Sequence, residues 1–164
     1  KENLMNSILS KLTMAILSLV VSAFVFAADK PKEEWLFVHT AQEAQATSST
    51  LVMPISRDIF AFTDRPYRKH IYLTGDKFAS LWSDSSSDSF KVNPPNAVLT
   101  WIEEGVIKEV EVVIANVSSD GKNITYTLKN NHTLNAELKD VSIFIDGMQC
   151  SHCLMSHHYD PIAN

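Results

Sequence analysis

The strongest constraint on the fold lies between Val106 and Leu128. Val110, Val112 and Ile114 alternate with Glu109, Glu111 and Val113, so an extended segment has one apolar face and one mixed face. Ser119-Asp120-Gly121-Lys122 follows, and Asp-Gly tolerates the positive φ that a tight hairpin turn demands. Ile124, Tyr126 and Leu128 then alternate with Thr125 and Thr127, the pattern of a half-buried return strand. A lone hairpin is marginal in water, and its apolar face needs more strands or another layer to cover it. The chain is therefore built as an antiparallel β structure, and its other segments supply the partners.

Those partners are short. Residues 35–38, 50–53, 59–62, 69–73, 97–102 and 141–145 read as strands, bounded by Pro54, by Asp64-Arg65-Pro66 and by Pro94-Pro95-Asn96. Glu103-Glu104-Gly105 is a hairpin connection into the long strand 106–117. Residues 40–50 are rich in Ala, Gln, Ser and Thr and fit a turn of helix or a solvated loop equally well. Thr74 reads as a helix cap with Asp76 in the first turn; Phe78, Leu81 and Trp82 then fall at helical spacing and face the core, before a Ser/Asp loop at 83–89. The expectation is a mainly β, antiparallel β-sandwich-like single domain with one short helix, with antiparallel α+β as the alternative. No βαβ alternation occurs, and four glycines leave no phosphate-cradling loop.

The N-terminus reads as a targeting segment. Lys11 supplies positive charge, residues 14–26 are almost unbroken apolar sequence, and Ala27 stands before Ala28-Asp29, the signal-peptide pattern. A run of that length falls short of the roughly 20 residues of a spanning helix. The expected organisation is a signal peptide at 1–27, a linker at 28–34, a β-rich domain at 35–146 and a Cys/His-rich tail at 147–164. Without residues 1–27 the chain keeps 12 basic against 18 acidic residues, a net charge near −6, which argues against nucleic acid as a partner. The expected location is periplasmic or extracellular.

Both cysteines lie in the tail, within Gly147-Met148-Gln149-Cys150-Ser151-His152-Cys153-Leu154-Met155-Ser156-His157-His158. Thiolate and imidazole suit zinc or copper(I), and the thioethers of Met148 and Met155 add copper(I)-type donors. Cys150, His152, Cys153, His157 and His158 are the candidate metal ligands, because C-x-x-C lets two sulfurs meet one ion. In an exported protein the same two thiols can instead close a disulfide. A thiol-redox role is the third reading, with His152 favouring a thiolate at its neighbours, although the chain runs only eleven residues past Cys153.

Other polar groups have plainer readings. Asp64, Arg65 and Arg68 form either an anion-binding patch or a turn held by Asp–Arg pairing. Asp84 and Asp88 flank a serine run without the glycine-centred loop of a calcium site. Ser85, Ser86 and Ser87 have no G-x-S-x-G context, and Trp82 and Trp101 read as core or rim aromatics. Sequons stand at Asn116, Asn123 and Asn131.

Two resemblances accompany these motifs. Residues 141–153, with Gly147-Met148-Gln149-Cys150-Ser151-His152-Cys153, resemble the first strand and metal loop of heavy-metal-associated domains, which carry G-M-x-C-x-x-C. The resemblance implies copper(I) or a similar ion held by Cys150 and Cys153. It departs at Ser156-His157-His158-Tyr159-Asp160-Pro161, where that family has an amphipathic helix. Phe62-Thr63-Asp64-Arg65-Pro66, Phe78-Ala79-Ser80-Leu81-Trp82 and Pro94-Pro95-Asn96-Ala97 are similar to an uncharacterised family of small secreted bacterial β-rich proteins over roughly residues 58–146. That likeness implies export and a β-rich fold, and brings no catalytic residues. The functional expectation is an exported non-enzymatic binding protein that takes zinc or copper through its tail. The alternative is an envelope or adhesion module, with an unidentified protein or envelope partner and a Cys150–Cys153 disulfide.

Overall fold

The structure is a computed structural model that describes residues 33–83, 89–134 and 136–149. The chain is mainly β, as expected. Its strands are β1 (Glu34–Ala46), β2 (Thr50–Pro54), β3 (Ile59–Thr63) and β4 (His70–Leu73), then β5 (Asn96–Glu103), β6 (Val106–Ser119), β7 (Asn123–Leu128) and β8 (Glu137–Gln149). One helix, α1 (Gly75–Ala79), runs into a 3-10 turn at Ser80–Trp82. Instead of two sheets packed as a sandwich, one antiparallel sheet closes on itself like a barrel. Its order is β2-β7-β6-β5-β8-β1-β3-β4, and β1 also pairs with β2. The closed ring therefore runs β1-β2-β7-β6-β5-β8. The β3–β4 hairpin attaches to the first half of the β1 edge through Trp35 to Val38, while Gln45 and Ala46 meet β2 on the second half.

Alternation sets which side chains fill the ring. Phe37, Leu51, Met53, Leu99, Ile114, Ile124, Tyr126 and Ile143 point inward and are fully buried. Burying each such side chain contributes about 1.5–3 kcal/mol relative to exposure, which is what fixes the register. The helix adds a plug. Thr74 caps it by accepting from the Lys77 N–H, and Phe78 and Trp82 reach inward. Phe78 lies 5.7 Å from the Phe37 ring centroid, and Trp82 lies 4.6 Å from that of Phe90. The hairpin turns behave as their residues dictate. Glu104 and Gly105 both take positive φ in the two-residue β5–β6 turn, and Asp120 Oδ1 accepts from the N–H groups of Lys122 and Asn123 in the β6–β7 turn.

Three boundaries differ from the sequence expectation. Residues 40–46 are neither helix nor loop but the second half of β1, paired with β8 from Thr40↔Ser142 to Gln45↔Glu137 except at Gln42. The linker assigned to 28–34 is structured at its end: Glu33 is buried and Glu34 opens β1. β8 starts at Glu137 and continues past Asp146 to Gln149, so the first three residues of the assigned tail belong to a strand. The targeting segment at 1–27 lies outside the described residues, as do Asp84, Ser85, Ser86, Ser87 and Asp88. Among the described residues no helix is long and apolar enough to cross a membrane.

Gly75 shows how tightly the plug sits. A Cβ there would meet Ile55 Cδ1, and Ile124 Cδ1 at 3.0 Å. Alanine raises helix propensity by about 0.5–1 kcal/mol over glycine, whereas overpacking a core costs about 1–3 kcal/mol. Overpacking wins, so Gly75→Ala is expected to lower stability by about 1–2 kcal/mol in urea unfolding. A neutral or stabilising result would show that α1 is not seated on Ile55 and Ile124.

Candidate functional site

The Cys/His tail leaves from a defined place. β8 ends at Gln149, whose register partner is Glu34 at the start of β1. A register shift between Trp35 and Phe37 puts Gly147 beneath the Glu34 side chain, where a Cβ would collide with it. A side chain at 147 would therefore have to displace the exposed Glu34 side chain. One residue before Glu34, Glu33 is buried at 5 % exposure and its Oε2 lies 2.8 Å from Lys69 Nζ. The Lys69 backbone is fixed by Thr63, whose Oγ1 accepts from its N–H. The other carboxylate oxygen, Oε1, is buried without a hydrogen-bond partner. Cys150, His152, Cys153, His157 and His158 themselves lie outside the described residues. Among the described residues, no three His, Cys, Asp or Glu side chains converge as a metal site.

A second polar feature sits inside the ring. His39 falls on the inward phase of β1, after Trp35 and Phe37, and is buried. Its Nε2 is 3.2 Å from the Pro54 carbonyl, and its Nδ1 is 2.9 Å from the Tyr126 hydroxyl. A carbonyl only accepts, so Nε2 carries the proton and Nδ1 accepts from Tyr126. The ring joins β1, β2 and β7 across the seam where β1 and β2 share only two residue pairs. Burial lowers the His39 pKa below its ordinary value, partly offset by the Pro54 hydrogen bond, and burial pushes Tyr126 well above its own. These groups are neutral and enclosed, an arrangement that closes the barrel rather than one that meets a ligand.

A concavity lies on the outer face of the sheet, a groove of about 590 Å³. Register builds it. Val38 stands beside Phe144, and Phe144 beside Val98, along its floor, and the row continues outside the groove from Val38 to Phe60 and from Phe60 to Tyr72, one apolar side chain per strand across β4, β3, β1, β8 and β5. Leu36 and Phe62 form a parallel pair one step along the strands. The row ends on a carboxylate, since Val98 faces Glu111 of β6. Phe144 is 48 % exposed and Tyr72 53 %, while Leu36, Val38, Phe60 and Phe62 are half-buried. Among the described residues, Asp146 and Glu111 are the charged members of the lining, which holds no Lys or Arg. His132, on the segment between β7 and β8, also lines it, and its Nε2 is buried without a partner.

The chain matches no family model, no curated protein and no solved structure. The remaining sequence candidates have local explanations. Asp64 Oδ1 accepts from the Arg65 N–H at 2.6 Å, and its carbonyl accepts from the N–H groups of Tyr67 and Arg68. Asp64 therefore shapes the β3–β4 turn through the backbone, and among the described residues it forms no ion pair with Arg65 or Arg68. Trp82 is core, its Nε1 donating toward the Ile114 carbonyl at 3.4 Å, and Trp101 is half-buried. Asn116 and Asn131 are exposed, while Asn123 donates to Asp120 within its turn. His39 and the outer groove were missed by sequence reasoning.

Proposed function

We propose that this protein is an exported, non-enzymatic binding protein that takes zinc or copper through Cys150, His152, Cys153, His157 and His158. The observation that carries the reading is where the cluster begins. Cys150 follows directly on Gln149, the last residue of a strand paired along its length with β1. A donor set mounted on a strand end loses less conformational freedom on closing around an ion than one on a long free linker. Binding requires deprotonated thiols and neutral imidazoles, so affinity falls as pH is lowered. Metal content of the purified, untagged full chain under reducing conditions tests the proposal. One equivalent of zinc or copper is expected, with loss of nearly all of it on Cys150→Ser and on Cys153→Ser while circular dichroism is unchanged. Metal-free wild type, or full loading of both serine variants, would overturn it.

A second reading is favoured by the outer groove: an envelope or adhesion module whose Cys150 and Cys153 form a plain disulfide. Exposed contiguous apolar surface marks interaction sites. Intact mass separates the two readings. A chain lighter by two hydrogens than its reduced form, and indifferent to chelator, supports the disulfide.

A further inference from the structure

We infer that the outer groove docks a cationic, apolar peptide segment. Two independent features specify that chemistry. The floor is a register-matched row in which Val38, Phe144 and Val98 stand side by side, flanked by Leu36 and Phe62, so it accepts aliphatic or aromatic side chains. The rim is anionic: among the described residues Glu111 and Asp146 are its charges and no Lys or Arg lines it, and the whole chain carries a net charge of −5. His132 also lines the wall, and its Nε2 is buried without a partner among the described residues. A groove of about 590 Å³ is of the size that holds a few residues.

Charge selects this occupant over the two nearest rivals. A second copy docking by the same face would bring the same carboxylates toward each other about a two-fold axis, and like charges in juxtaposition cost binding energy. An anionic lipid surface would be repelled by the rim and by the net charge. A segment with apolar residues between Lys or Arg satisfies both the floor and the rim, and the negative field raises its rate of encounter. The inference rests on none of the candidate metal ligands, which lie outside the described residues.

The test is fluorescence anisotropy on the full chain with a labelled seven-residue probe that alternates lysine with leucine and phenylalanine. Its counterpart replaces every lysine by glutamate. Saturable binding of the lysine probe is expected, and none of the glutamate probe. Phe144→Ser is expected to weaken binding at least about tenfold, as for a central aromatic anchor. The double variant Glu111→Gln, Asp146→Asn is expected to weaken it several-fold and to flatten its salt dependence. All three positions are on the outer face, so these changes leave the core filled. Ile107→Ser, at an exposed site on the β5–β6 hairpin that does not line the groove, is expected to bind as wild type. The inference is overturned by absence of saturable binding, or by equal affinity in Phe144→Ser. A wild-type dimer in sedimentation velocity that Phe144→Ser dissociates would overturn it too, making a second copy the occupant.

Discussion

Phe37→Ala is expected to destabilise the barrel by about 3–5 kcal/mol, the range for a fully buried phenylalanine whose site cannot collapse. Phe37 is 0 % exposed, and its neighbours in register are Ala61 on β3 and Ile145 on β8. Its ring lies 5.7 Å from both Phe78 and Phe90, so it is the surface on which the helical plug rests. Alanine at 61 is too small to fill the space, and Ile145 is held by pairing on both sides. Against a typical domain stability of about 5–15 kcal/mol the loss is a large fraction. Urea unfolding measures it, and hydrogen exchange adds a local readout: residues 75–82 should lose protection before the β5–β6 ladder does. Val38→Ala, the next residue but on the outer face, is expected to cost less than about 1 kcal/mol. Equal costs at 37 and 38 would mean that the inside and outside of β1 are assigned the wrong way round.

That contrast between neighbouring residues is what the sequence carries well. Alternation in 110–114, in 124–128 and in 141–145 is visible because a large apolar residue recurs at every inward position, and all of β6, β7 and β8 follow from it. The second half of β1 is hidden for the opposite reason. Its inward residues are Ala41, Ala44 and Ala46, which have little β-propensity, and the phase slips because Gln42 and Glu43 are both exposed. This stretch is a strand because β8 pairs with it, a long-range cause that no local window contains. Closure is similarly non-local, since only Gln45 and Ala46 join β1 to β2.

The groove was half legible. Leu36, Val38, Phe60 and Phe62 are apolar on the phase opposite to Trp35, Phe37, Ile59 and Ala61, so both faces of β1 and β3 are apolar in sequence. Two-sided apolar strands are expected of a sheet covered on both faces. Here the outer face of β1 and β3 is only half-buried and Phe144 of β8 is exposed, which is the anomaly that points to a partner. The alignment of Phe144 and Val98 with this pair depends on strand order, and strand order is not written in any one segment. The reactive tail was the reverse case, with its residue types plain in the sequence.

His39→Ala is expected to cost about 3–5 kcal/mol, combining a cavity with two stranded polar groups, the Tyr126 hydroxyl and the Pro54 carbonyl. The signal was present in sequence as a histidine on the buried phase of an otherwise apolar strand. A double-mutant cycle isolates its role. Tyr126→Phe alone removes one partner and leaves Nδ1 unsatisfied, at about 1–2 kcal/mol. In the His39→Ala background the same change removes a hydroxyl that already lacks its partner, so it is expected to cost nothing or to stabilise. Additive losses would mean that the two side chains do not act together. The pH dependence has a defined sign. Burial holds the folded pKa of His39 below its ordinary value of 6.5, so near neutral pH both folded and unfolded states are uncharged there and the contribution is complete. Below 6.5 the unfolded chain takes up a proton that the folded chain refuses, and stability falls until the pH reaches the lowered folded pKa. The slope from this one residue is at most about 1.4 kcal/mol per pH unit. It is read as the difference between wild type and His39→Gln in urea unfolding from pH 7 to pH 5, which removes the other titrating groups from the comparison. Parallel pH profiles for the two proteins would show that the seam between β1 and β2 is not closed by a neutral imidazole.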